Sequence, residues 1–226
     1  MKCRMILAAS AAGSLLILAG CVTVPQSDLA QAVKAAIQPA VDTFFEALEE
    51  GQEANHPTGY LLRETGRVEG DNFIDWGYWS GKDDETLFEA ALYIIKNPPQ
   101  CPPNAECLGP GVYTFVSGTP TGTNPVSGSA IWNGFARAVF GYEVQLTGKA
   151  SLWANLRNAT VDVYLSEMDY LHDHVWRDLD MVDGTFSREE GDWMISGAFY
   201  GDGHEGVAGH FNHEPGVVGV FGALRE

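Results

Sequence analysis

The chain has 226 residues, enough for one sizeable domain or two small ones, and its 45% hydrophobic content against 19% charged lets it bury a core. A formal net charge of −17 argues against a nucleic-acid partner, because phosphate binding needs a basic surface. A cationic protein, a cationic ligand or a metal suits such a charge better.

Taken in order, the chain opens with Lys2 and Arg4 before an apolar run from Met5 to Ala19. That run is too short and wrongly flanked to span a membrane. It ends Leu18-Ala19-Gly20-Cys21, which resembles the lipobox of bacterial lipoproteins. The resemblance implies that residues 1–20 are a signal peptide removed on export and that Cys21 carries lipid. The partner it implies is a membrane, met through that anchor. Val22 follows the cysteine in place of an Asp, which by resemblance to lipoprotein sorting rules favours the outer membrane. An ordinary signal peptide or a buried helix is the alternative. Loss of residues 1–20 removes Lys2, Arg4 and no acid, so the mature chain is more acidic still.

Cys101 and Cys107 then remain as a pair, spaced C-P-P-N-A-E-C, in an exported chain. Such a pair reads as a disulfide. So short a ring stabilises by roughly 2 kcal/mol at most in the loop-entropy picture. No structural zinc site is expected, since two sulfurs without a nearby His fall short of four ligands.

Residues 21–26 read as a lipidated tether. A helix is expected over 27–51: Ser27 or Asp28 is a suitable N-cap, the apolar stripe Leu29, Val33, Ile37, Val41, Phe44 and Leu48 follows, and Gly51 can stop it. Pro39 inside the stripe predicts a kink. Residues 51–71 read as loop with a short strand near Tyr60–Leu62. Asn72–Ser80 alternates and reads as a strand. Asp83–Ile95 is ambiguous between helix and strand, and Val112–Val116 is a short strand.

From Ser127 onward period two dominates. Residues 129–140 place Trp132, Ala136 and Ala138 on one face. Residues 145–156 do the same with Leu146, Ala150 and Leu152, and residues 159–166 with Val161, Val163 and Leu165. Val175–Phe186 reads as one irregular strand with a bulge, Leu179 and Met181 pointing inward. Three closing pieces share β-branched, Gly, Phe at spacing two: Ile195-Gly197-Phe199, Val207-Gly209-Phe211 and Val217-Gly219-Phe221. The fold expected is mainly β, about eight antiparallel strands closing as an up-and-down barrel over residues 60–226, preceded by the N-terminal α-helix. A sandwich is the alternative. Small residues set among large ones predict a filled interior.

The tail Gly197-Ala198-Phe199-Tyr200-Gly201, then Glu205-Gly206-Val207-Ala208-Gly209-His210-Phe211, then Val218-Gly219-Val220-Phe221-Gly222-Ala223, resembles the C-terminal barrel signature of the transferrin-binding protein B-like lipoproteins, a group that includes factor H binding protein. Ser127-Gly128-Ser129-Ala130 with Trp132 and Gly134 resembles an earlier strand of the same barrel. The resemblance implies an eight-stranded barrel on a cell-envelope lipoprotein whose work is binding. It does not imply a ligand, since partner contacts in that family lie on variable loops.

No nucleophile elbow, Cys–His pair or phosphate-binding loop is present, so no catalytic residue, enzyme activity or cofactor is expected. His204, His210 and His213 fall on or beside turns and are expected to be solvated. His204 and His213 lie at opposite ends of one strand, well over about 10 Å apart, and cannot share an ion. His172 and His174 mark a hairpin tip that could hold a pH-sensitive or weak metal site. Trp79 and Trp153 fall on the polar faces of their strands, which makes them candidate interface anchors. The function expected is a lipid-anchored, non-enzymatic binding barrel whose partner is a protein or a small solute. An envelope structural or assembly lipoprotein is the alternative.

Overall fold

The computed structural model of the protein describes residues 15–18, 61–69, 73–82, 85–95, 111–128, 130–141, 144–168, 171–213 and 216–226. The helix expected over 27–51, Cys21, Cys101 and Cys107 all lie outside the described residues. Among the described residues every regular element is a strand, and all pairs are antiparallel.

Two sheets result. The first holds β1 (Leu15–Leu18), β2 (Leu61–Glu69), β3 (Phe73–Lys82), β4 (Glu85–Ile95) and β5 (Gly111–Gly118), in the order β1-β5-β4-β3-β2. Within the segment 83–95, ambiguous by propensity, Glu85–Ile95 is thus a strand, and its apolar residues are committed by packing. Phe88, Leu92 and Ile94 are fully buried. The 61–69 stretch, polar enough to read mostly as loop, is a nine-residue strand because β3 supplies its ladder.

The second sheet holds β6 (Ile131–Phe140), β7 (Val144–Asn155), β8 (Thr160–Ser166), β9 (His174–Asp180), β10 (Thr185–Glu190), β11 (Trp193–Tyr200), β12 (Gly206–His213) and β13 (Val217–Arg225). Each strand pairs with the next in sequence except β9 with β10, and β13 returns to pair with β6. This is a nearly closed eight-stranded up-and-down barrel. Eight strands agree with expectation, but their membership differs. Val112–Val116 belongs to the first sheet, and the stretch read as one strand over 175–186 is two, divided by a tight turn. Asp183 and Gly184 there have φ of 49° and 71°, and Val182 and Thr185 exchange two backbone hydrogen bonds of 2.9 Å. Both central residues at positive φ match the type I′ hairpin geometry that Asp-Gly favours.

The barrel interior is filled. Trp132, Trp176, Phe199, Phe211, Phe221, Leu146 and Leu152 are buried in one apolar cluster that includes Val161, Val163, Leu165 and Ile195. The three Gly-containing strands of the tail make room for rings. A Cβ on Gly197 would come within 2.5 Å of Phe186 Cζ, and one on Gly219 would overlap the Phe211 ring. The outward residues Ala198, Tyr200, Ala208, Val218, Val220 and Leu224 are buried too, under Leu87, Phe88, Leu92, Ile94, Val112 and Val116 of the first sheet. The first sheet therefore covers the outer wall formed by β11, β12 and β13 and reaches onto β6, where Val139 is fully buried in the same cluster and Phe135 packs against it. That explains why β12 and β13 read buried on both faces.

One mouth of the barrel is capped by the connector between the sheets. Thr121 N donates to Phe199 O at 2.9 Å. Asn124 bridges Met181 O and Gly184 N. His204, at φ 59°, donates from Nε2 to Thr123 O at 2.9 Å, and its own carbonyl accepts from Trp132 Nε1 at 2.8 Å. Arg225 lies over the Trp132 ring at 5.1 Å and donates to Gly203 O and Ser127 O.

Candidate binding site

With the interior filled, one wall covered and one mouth capped, the surface of the barrel left open by the described residues is the outer wall of β7 to β9 and the far mouth. Trp153 stands on the outer wall. Its position in β7 is outward because Leu152 and Ala154 flank it on the inward parity, and it is 43% exposed. It pairs across the ladders with Ile131 on β6 and Asp162 on β8. Its ring lies 6.2 Å from that of Tyr164, tilted by 32°.

The groups around this pair are held in place by one another. Tyr164 Oη donates to Asp173 Oδ2, while Asp173 Oδ1 accepts from Glu167 N at 3.2 Å. These bonds hold the Asp173 carboxyl below its ordinary range, chiefly through the tyrosine hydroxyl, and the same bond raises the Tyr164 phenol. Ser151 donates to Asn133 Oδ1 at 2.7 Å. Asp162 accepts from Asp178 N at 2.7 Å and lies 3.6 Å from Arg177. Lys149 and Glu167 meet at 2.8 Å but both are more than half exposed, and such a pair contributes little to stability. The wall is thus an exposed aromatic pair in a frame of fixed carboxylate, amide and hydroxyl groups. Its chemistry suits recognition, in which rigid aromatics supply contact area at low entropic cost.

His172 and His174 do not act together. His172 is exposed, whereas His174 turns toward the far mouth of the barrel. There its ring stacks on Trp193 at 4.2 Å and meets Trp176 edge-on at 4.3 Å. His213 stacks on the opposite face of Trp193, also at 4.2 Å. The indole between them prevents the two imidazoles from sharing an ion. Among the described residues, no three His, Cys, Asp or Glu side chains gather as a metal site. Trp79 is a β3 residue paired with Arg63 and Glu89; its side chain is outside the described ones.

The expectation of solvated turn histidines does not hold. His204 is buried under the connector, His210 is buried between barrel and sheet, and His213 is half-buried in the stack. The covering elements lie far away in sequence, so nothing local announced the burial. Tyr164, Trp193 and Arg188 were not singled out from the sequence. Strand parity could have found Tyr164 beside Trp153, since both fall on the polar face.

No protein-family model and no curated protein sequence matches the chain. The solved structures similar to it are lobes of transferrin- and lactoferrin-binding proteins. Intact Ap-TbpB, with N and C lobes, aligns at a TM-score of 0.46 and 14% identity over 73% of this chain and 38% of its own. The isotype 1 transferrin binding protein B from serogroup B Neisseria meningitidis aligns at 0.48 and 13% over 78% and 36%. The N-lobe domain of lactoferrin binding protein B of Moraxella bovis aligns at 0.41 and 13% over 84% and 85%. The chain thus spans well under half the length of the first two proteins.

Proposed function

We propose that the protein is a lipid-anchored, non-enzymatic binding protein of the cell envelope, facing its partner with the outer wall of β7 to β9 and the adjoining loops. The observation that carries this reading is the disposition of surfaces. The barrel interior is packed with rings, β11 to β13 are covered by the first sheet, and an exposed Trp153–Tyr164 pair remains on the open wall. Aromatics of this kind anchor interfaces more often than other residues do. A packed interior favours a partner met from outside, and the acidic chain favours one with a basic surface. His172 borders the same wall through Asp173, which holds Tyr164. Trp79 is a further candidate contact.

The anchor rests on the lipobox at Leu18–Cys21. Processing there would remove β1 and leave β5 as the edge of the first sheet. An outer-membrane address follows from Val22 by the sorting rule given above, and a Cys101–Cys107 disulfide suits that compartment.

Two measurements test the reading together. Radiolabelled palmitate should enter the wild-type chain and not Cys21→Ala; equal labelling of both sinks the anchor. The purified chain should retain a discrete envelope or extracellular protein that Trp153→Ala/Tyr164→Ala loses at unchanged thermal stability. Undiminished capture by that variant moves the site elsewhere.

A further inference from the structure

Seven of the eight junctions around the barrel are backbone ladders. The eighth, between β9 and β10, is closed by side chains. At one end the Asp183-Gly184 turn joins the strands. In the middle the Arg188 guanidinium on β10 donates to Arg177 O at 2.5 Å and Asp178 O at 2.7 Å on β9. At the far end the tie is the ring of His174, the first residue of β9, laid on Trp193 of β11, the strand to which β10 is paired. His213 of β12 closes the other face of the same indole, with the two rings within 7° of parallel.

This end of the seam is under-bonded. Trp176 Nε1, His174 Nε2 and His213 Nδ1 are buried without a hydrogen-bond partner among the described residues. A buried polar atom left in that state opposes closure, and water would relieve it on opening. The ladder that would otherwise hold such a junction is missing here. We propose that the β9–β10 seam is a latch that opens at mildly acid pH, released by protonation of His174, the imidazole that ties β9 to Trp193.

The surrounding groups set the sign. Burial holds His174 below the ordinary value of 6.5 and His213 acts the same way, while Glu190, the ladder partner of Trp193 on β10, opposes them. From β8 the facing partner of His174 is the apolar Leu165, and from β13 that of His213 is the apolar Val217. On its own strand's approach His174 follows His172 and Asp173, and the Asp173 carboxylate is engaged by Tyr164. Asp192 lies in the turn beside Trp193, and Arg188 is held on the β9 carbonyls. The closed barrel therefore favours neutral His174, and the opened seam takes the proton first. Closure is fully present above pH 6.5 and is lost as pH falls below it. The open form therefore gains population as pH falls below 6.5.

Hydrogen exchange of the purified protein, read by mass spectrometry at pH 7.5 and 5.5 and corrected for intrinsic exchange, tests this. The expected result is a loss of protection in β9 and β10 while β6 and β7 keep theirs. His174→Phe/His213→Phe, which retains the aromatic stack on Trp193 with no imidazole in it, should abolish the pH dependence. Three results overturn the latch: unchanged protection of β9 and β10, an equal loss across β6 and β7, or the same pH dependence in the double variant. The wild-type profile decides alone should the variant not fold.

Discussion

His210 shows how one residue can tie stability to pH. It stands on β12 with Ala208 on the outward parity, and so points into the contact between barrel and sheet, where it is 4% exposed. Its Nδ1 has no hydrogen-bond partner among the described residues. Burial pushes the imidazole down to about 4 from 6.5. The native state keeps it neutral, so the unfolded chain binds the proton first. Its contribution is present above pH 6.5 and is lost as pH falls from there to about 4, by about 3 kcal/mol in all. His210→Leu should therefore lose less stability than wild type between pH 7.5 and 4.5 in urea unfolding. Equal losses would show that the ring is hydrated in the native state. None of this was legible from Val207-Ala208-Gly209-His210-Phe211, because alternation tells which residues share a face and not what later covers it. Trp153 was legible for the converse reason: among the described residues nothing covers it, so the polar-face parity held.

At the scale of the element, the Gly–Phe strands were the most readable part of the chain. Period two placed Phe199, Phe211 and Phe221 on one face, and all three are buried inside the barrel. Each glycine is explained by a ring from elsewhere: Phe186 over Gly197, Phe221 over Gly209 and Phe211 over Gly219. Phe211→Ala should cost about 3–5 kcal/mol in denaturant unfolding, since the hole it leaves is walled by backbone that cannot collapse freely. Gly219→Ala should cost about 1–3 kcal/mol through the clash with the same ring. A loss below 1 kcal/mol for Phe211→Ala would mean that the interior is loosely packed. The β9–β10 hairpin was the least readable barrel element. Its Asp183-Gly184 signal was present, but the inward Leu179 and Met181 and the apolar Phe186 read as one bulged strand. Phe186 falls one residue out of phase with Leu179 and Met181, and it is the turn rather than a bulge that shifts the period.

For the whole molecule, the charge, the alternation and the tail motif together led to a mainly β barrel with a packed interior, as the structure has it. The first sheet was not anticipated as a separate layer, because β2 to β5 carry the same strand pattern as the barrel. Pattern alone does not assign a strand to a sheet. That layer matters for the proposed function, since among the described residues it covers β11 to β13 and part of β6 and leaves β7 to β9 open. Site-specific photo-crosslinking in cells producing the full-length chain tests this most directly. A photoreactive residue in place of Trp153 should give a discrete adduct with a second protein, while one in place of Val182, 61% exposed at the β9–β10 tip, should not. A discrete adduct at Val182 with none at Trp153 would contradict the assignment of the outer wall as the binding face.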